Sequence, residues 1–457
     1  MAPLPLLDIQ TLSQTQTWLL ATLFSLLLLL FHQNRKKEPK NEAPKLPPGP
    51  PKLPMHQLGL FPHRTLRDLA QTYGPVMHFQ LGHIPTVIIS SPSAAEDVMR
   101  THDLSLATRP ATVAANSVTY GCTDVAFAPY GPYWRTVLEI CILELLSSKR
   151  VQSFSVIREE EGLSLINSIK SSCNAPVNVT EKVGIGRKFE KIRFAPMIKE
   201  TMFLMGGFHV PDFFPSMGWV NVVTGFRERL RKNHKEFDDF LDEVIAEHRD
   251  KGFKGEEHND LVDVLLQHQT NKDTEVPLST ANIKAVILDM FLAGTETSST
   301  IRNAVNGKDT VKEADLLNLS YLRCIIKETL RMHLPFPLLL PRESTESCEI
   351  SGYHIPKKTR VIVNGWAIGR HPDYWKDPEK FKPERFIDNS VDFRGQHFEF
   401  LSFGAGRRGC PVSTSQVLYH FDWEVPNGKP EDLDMTEAHG VTVGRKADLL
   451  LIAHPKF

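Results

Sequence analysis

Excess charge is missing from this sequence: 53 Lys and Arg stand against 54 Asp and Glu, a formal net charge of −1. That balance gives the chain no overall pull toward nucleic acid or an acidic partner. Paired cysteines are missing too. The six cysteines, Cys122, Cys141, Cys173, Cys324, Cys348 and Cys410, are scattered and form no C-x-x-C pair. Neither a zinc site nor a disulfide framework is suggested; five of the six read as plain reduced thiols facing the cytosol. Nothing repeats at a fixed period, which argues against solenoids and propellers. A complete dinucleotide fingerprint is also absent. "VGIGRKF", Val183 to Phe189, holds a Gly-x-Gly but no third glycine and no strand-turn-helix setting. What remains, 41% hydrophobic and 23% charged, is the composition of an ordinary globular protein.

One long apolar run is present, Trp18 to Phe31, "WLLATLFSLLLLLF". It falls short of the ~20 residues that span a bilayer, but the uncharged Thr15 to Thr17 and His32 can extend it. Asp8 precedes the run, and Arg35, Lys36, Lys37 and Lys40 follow it. A cleaved signal peptide has the opposite order, so a retained anchor is the expectation. The positive flank keeps the bulk of the chain cytosolic. "KLPPGPPKLP", Lys45 to Pro54, resists helix because proline fixes φ and removes donors, and it reads as a semi-rigid spacer. Residues 1–44 are thus expected to form an anchor with its basic flank, 45–54 a proline-rich hinge, and 55–457 one large domain.

Inside that domain, Pro75 to Pro92 carries β-branched runs around Gly82 and predicts a hairpin. Helical periodicity covers Ala94 to Thr101, Ile140 to Ile169, Phe226 to Arg249 and Leu278 to Ile301. "RVIVNGWA", Arg360 to Ala367, predicts a strand. The fold class is mostly α with a minor β part. The sequons at Asn178 and Asn318 carry little weight in a cytosolic domain.

Chemistry gathers at "FLSFGAGRRGCPVSTSQ", Phe400 to Gln416. Gly404, Gly406 and Gly409 allow close backbone approach. Arg407 and Arg408 favour the thiolate of Cys410, and Pro411 suits the first turn of a helix. Such a thiolate serves as nucleophile, redox sensor or metal ligand, and the loop by itself leaves the three open. "FLAGTETSST", Phe291 to Thr300, sets the acid Glu296 beside the alcohol Thr297 in a helical pattern. That pair suits proton relay to something bound beside a small-residue gap, and a Gly–Thr pair there invites local distortion. In "KETLRMHLP", Glu328 and Arg331 share a helical face; such pairs are usually solvated and weak. Arg385, in "FKPERF", completes an Arg–Glu–Arg cluster if the chain folds back.

Taken in order, F-x-x-G-x-R-x-C, A-G-x-E-T, E-x-x-R and P-E-R-F resemble the cytochrome P-450 family of haem-thiolate monooxygenases. The likeness runs nearly the whole chain, from the "LPPGP" hinge to the C-terminus. "FAPYGPYWR", "HFDWEVPNG" and "DMTEAHGVTV" look most like the plant A-type enzymes of secondary metabolism. The resemblance implies a cytochrome P-450 fold holding haem b, iron protoporphyrin IX, with Cys410 as the metal ligand. It implies that Phe403 packs beside the loop, and that Arg408, Arg342 and Trp134 contact haem propionates. Glu296 and Thr297 match the pair that handles oxygen and protons, and Glu328, Arg331 and Arg385 the cluster that locks the proximal side. It further implies O₂ and an apolar small molecule of the terpenoid, alkaloid or phenolic class as substrates. Electrons would come from NADPH through a separate cytochrome reductase, at the endoplasmic reticulum membrane.

The sequence also departs from that pattern. "PVSTSQ" leads almost at once to "VLYHFDW", where the family has a long helix, and Val412 stands where a glycine is expected. A second loss follows Thr300, where "IRNAV" bridges directly to "NGKDTVKEADLL". Others fall near Pro54 and in "EKVGIGRKF". Leu138 replaces the arginine of the family's W-x-x-x-R, leaving Arg135 as the nearest substitute. A missing helix removes several kcal/mol of burial at ~25 cal/mol/Å², against a typical stability of roughly 5–15 kcal/mol. Two other readings therefore stand beside the monooxygenase: a shortened, non-catalytic relative that holds no haem, and a haem-thiolate isomerase or dehydratase. Retention of Glu296 and Thr297 speaks against the isomerase.

Overall fold

The computed structural model describes residues 44–50, 55–153, 160, 164, 167–171, 176–178, 191–206, 209–251, 260–270, 276–301, 320–409, 421–424, 436–438, 440–443, 446–447 and 450–455. Leu46 onward belongs to one compact unit. Trp18 to Phe31, Val183 to Phe189, Asn318, Cys173 and Cys410 lie outside the described residues. Among those described, no helix is long and apolar enough to cross a membrane.

The predicted hairpin is present: β1 (Val76–Leu81) pairs antiparallel with β2 (Ile84–Ile89). Gly82, at φ +59, makes the turn, a conformation that suits a residue without Cβ. β3 (Pro176–Asn178), β4 (Arg342–Glu343), β5 (Cys348–Ile350), β6 (Tyr353–Ile355), β7 (Arg360–Val363), β8 (Phe421–Glu424) and β9 (Leu450–Pro455) follow. The largest sheet has the order β1-β2-β7-β4, with β2 and β7 parallel. Alternation assigns its two faces. Met77, Phe79, Leu81 and Ile88 pack with Leu66 of α1 (Pro62–Tyr73), while Val76, Val87 and Ile89 pack with Val98, Leu401 and Ala405 on the other side. The sheet is covered on both faces, so every residue of β7 is buried.

Strand β7 is shorter than Arg360 to Ala367. Asn364 ends it: its side chain accepts from the backbone N–H of Ala367 and caps the helical turn Gly365–Ile368. The helix expected at Ala94 begins at Pro92, behind the Ser91 cap, and widens to π geometry from Asp97 to Thr101. The pattern from Ile140 is broken as well. A helix from Pro132 ends at Cys141, a π turn covers Ile142–Leu146, and Ser147 is extended before Ser148–Ser153.

The helical layer contains α2 (Val113–Val118), α3 (Pro132–Cys141), α4 (Lys191–Met205), α5 (Phe226–Lys251), α6 (Leu261–Thr270), α7 (Thr280–Ile301) and α8 (Ser320–Met332). Leu230, Phe237, Leu241 and Ile245 line one face of α5, and Ile283, Val286 and Ile287 one face of α7. These stripes meet in the largest core cluster, which also takes Val137 of α3 and Leu265 of α6. The backbone of α7 is helical through Gly294 and Thr295.

Candidate active site

A turn at Gly406–Arg408 closes the loop that precedes Cys410. Gly406 sits at φ +69, and a Cβ there would lie 2.3 Å from the carbonyl oxygen of Met99 and 2.6 Å from Oδ1 of Asp103. Only glycine lets the loop come this close. Asp103 holds it, accepting from the Arg407 backbone N–H at 3.0 Å and from Arg342 Nη1 at 3.2 Å.

Three guanidinium groups gather here, those of Arg109 and Arg342 buried and that of Arg408 half-buried. Arg342, on β4, also donates to Leu106 and Ala405. Arg408 donates to the carbonyl oxygens of Ala107, Val125 and Ala128, and its guanidinium lies 4.2 Å from the ring centre of Trp134. Trp134 in turn donates from Nε1 to Val125 at 2.9 Å. Arg109 donates to Ala126, Leu340 and Pro341. Burial, then the neighbouring Arg342, holds Arg408 down at about 10. Burial followed by Arg342 and Arg408 pushes Arg109 well below its ordinary value. Burial also lowers Arg342, with Asp103 opposing. Asp103 and Asp124 are the acids near them, but burial and then Asp289 push Asp124 well above the usual carboxylate range. The cluster carries more positive than negative charge, and its chemistry suits a doubly anionic partner.

Phe403 is buried and meets Phe393 edge-on, their centroids 5.7 Å apart. Phe393, Phe400, Phe386 and Trp375 continue this aromatic packing toward α8. On α8, Glu328 and Arg331 are both fully buried. Arg331 Nε and Nη2 each donate to Glu328 at 2.8 Å, and Arg331 Nη1 donates to Gly369 and Pro378. The chain folds back as Pro383–Phe386, so that Arg385 Nε reaches Glu328 Oε1 at 3.1 Å and the Lys382 backbone N–H reaches the same oxygen at 2.8 Å. The pair is therefore no solvated surface bridge but the centre of a three-residue charged knot.

Glu296 and Thr297 are adjacent on α7, and their side chains lie outside what is described. Leu138 is half-buried on α3, while Arg135 is exposed and makes no described contact with the buried arginines. The third guanidinium is instead Arg109, which sequence reasoning missed. It stands alone in "ATRPA", and its acceptors at Leu340 and Pro341 are distant in sequence, so no spacing announces it. Asp289 of α7 was missed too; it accepts the backbone N–H groups of Val125 and Ala126 and ties their loop to the helix. A cavity of about 130 Å³ opens beside these elements. Apolar residues including Phe127, Phe213, Leu338 and Val441 line it, together with Asp212 and Arg360.

A large, mostly helical domain that buries a cationic cradle behind a Gly-Arg-Cys loop, next to an apolar cavity, defines the class of the haem-binding oxygenases. The Cytochrome P450 family model matches residues 44–302 and 300–451. Premnaspirodiene oxygenase of Hyoscyamus muticus is 44% identical over 495 positions, covering 96% of this chain and 99% of the relative. The 5-epiaristolochene 1,3-dihydroxylase of Nicotiana tabacum is 42% identical over 498 positions, covering 96% and 99%. A zebra fish cytochrome P450 solved with abiraterone superposes with a TM-score of 0.68 at 23% identity, over 87% of this chain and all of that one. This chain belongs to the cytochrome P450 family. It is an enzyme of the P450 monooxygenase kind, and membership implies a haem cofactor, a redox partner, O₂ and a small-molecule substrate. Both alignments run longer than the 457 residues of this chain, so each relative carries residues without a counterpart here. The family match itself falls into two pieces that meet at 300–302, where the sequence predicts a loss after Thr300.

Proposed function

We propose that this chain holds haem b through the Cys410 thiolate and inserts one oxygen atom from O₂ into an apolar plant metabolite. The observation that carries the reading is the surplus of buried positive charge. Arg109, Arg342 and Arg408 face one another with too little negative charge between them, and two propionates would supply what is lacking. Trp134 backs the Arg408 guanidinium and fixes its plane. Phe403 shields the loop from water on the side of the aromatic cluster. When bound, haem supplies the iron at which O₂ is reduced, and a thiolate ligand favours O–O cleavage. Glu296 and Thr297 deliver the protons, the alcohol holding one close to the site and the acid resupplying it. Glu328, Arg331 and Arg385 hold the proximal side rigid without touching the reacting atoms.

The relatives named for premnaspirodiene and 5-epiaristolochene favour a terpenoid substrate over an alkaloid or phenolic one, and the apolar cavity lining agrees. Electrons come from an NADPH-cytochrome reductase, with the domain of residues 55–457 held on the endoplasmic reticulum membrane by 1–44 through the hinge at 45–54. The missing counterparts favour a second reading, in which the shortened chain folds but holds no haem.

Carbon monoxide added to the reduced protein separates the two. A thiolate-bound haem gives a red-shifted Soret band; Cys410→Ser abolishes it, and Cys348→Ser, outside the loop, leaves it. Soluble, folded protein with no Soret band would establish the second reading.

A further inference from the structure

We propose that Arg360 selects substrates bearing a neutral acceptor oxygen, a carbonyl or hydroxyl on an otherwise apolar skeleton. Arg360 opens β7 and is 7% exposed. Its Nε is buried with no hydrogen-bond partner, and its guanidinium makes no hydrogen bond or ion pair with any described residue. It lies over the face of Phe213, 4.8 Å from the ring centre, and Asp212 and Glu343 act on it through space without forming an ion pair. Both residues line the cavity, with Thr112, Asp212, Leu338 and Val441. An unmet guanidinium donor in such a place is costly, and a ligand that meets it gains a charge-assisted hydrogen bond.

The sign of the partner follows from the neighbours. Asp212 lines the same cavity and accepts from the Val113 backbone N–H at 2.7 Å. Glu343, paired beside Arg360 in the sheet, is bridged to Lys358 at 3.4 Å. A carboxylate ligand would bring a second anion beside Asp212 in a poorly solvated space. A ketone or alcohol satisfies the donor without that repulsion. Phe213 and Leu338 meanwhile take the hydrocarbon body.

The inference deepens the monooxygenase reading, since it names what the cavity admits, but binding can be read without haem. Calorimetric titration of the full chain with decalin, decalone and decalin carboxylate, matched in size, tests it. The ketone is expected to bind roughly ten-fold tighter than the hydrocarbon and tighter than the acid. Arg360→Met keeps an unbranched apolar side chain and should erase the ketone's advantage. Asp212→Asn serves as an independent variant and should raise affinity for the carboxylate roughly ten-fold, leaving the ketone's nearly unchanged. A ketone preference that survives in Arg360→Met overturns the proposal, as does a wild type that prefers the acid or gives no heat with any probe. Loss of the carbon monoxide Soret band with the ketone preference intact would instead count against the haem reading alone.

Discussion

At the scale of single residues, the charged knot on α8 has the largest energetic consequence. Glu328 is fully buried and accepts from two guanidinium groups and a backbone N–H. Removing one partner of a buried pair strands the other, at a cost of about 3–5 kcal/mol. Arg331→Ala and Glu328→Ala are therefore expected to lower the urea midpoint severely. Arg231→Ala, which breaks an exposed bridge to Glu228, should leave the midpoint nearly unchanged. Equal effects from the two arginines would contradict this ranking. Asp124 and Asp289 make a second residue-scale statement, about pH. Burial raises both, Asp289 to about 6. In the folded chain they keep protons that the unfolded chain has released above its ordinary carboxylate value of about 4. Their contribution to stability is thus full below about pH 4 and is lost as pH rises through their folded values. His63, lowered to about 4 by burial, acts with the opposite sign in part of that window, so the comparison must be made between variants. Asp124→Asn should flatten the fall in urea midpoint between pH 4.5 and 7 relative to wild type; an unchanged slope would show that the carboxyl is not held neutral.

At the scale of elements, what the sequence disclosed depended on whether partners lie close along the chain. The β1–β2 hairpin was legible because alternation and Gly82 sit within one short stretch. The Glu328–Arg331 pair was legible from helical spacing, and its Arg385 partner only on the condition that the chain fold back. The parallel pairing of β2 with β7 joins Thr86 to Arg360, and Arg109 bonds carbonyls at Leu340 and Pro341. No local periodicity encodes either. The end of β7 was misread for a different reason: Asn364 supplies a cap that outweighs the β-propensity of the residues around it. The same scale holds the break in the family match. α7 ends at Ile301 and α8 begins at Ser320, and the family match breaks between them. Inserting a helix-forming segment after Thr300, where the family match breaks, would add apolar surface to bury at ~25 cal/mol per Å². The melting temperature should rise by several degrees and the haem-to-protein ratio should move toward one. If neither changes, the shortened connection is not what limits the pocket.

At the scale of the whole molecule, the proposed membrane attachment can be assigned to a segment and tested. The apolar residues of the described unit are largely spent on its cores: α5 and α7 turn their stripes inward, and both faces of the main sheet are covered. The exceptions include Trp219, Val222 and Val223, which stand exposed in one short stretch, 61%, 61% and 76% open. A patch of three side chains supplies a marginal, reversible attachment at best, since membrane binding scales with buried apolar area. The run Trp18 to Phe31 offers far more, and the basic residues that follow it favour the cytosolic side. Deleting residues 1–40 is therefore expected to release the chain into the soluble fraction after a salt wash, with its fold and its carbon monoxide spectrum unchanged from the full-length protein. Should the truncated chain still sediment with membranes, Trp219→Ser with Val223→Ser decides whether the exposed patch holds it there. Retention that survives both changes would mean that neither apolar segment is the attachment.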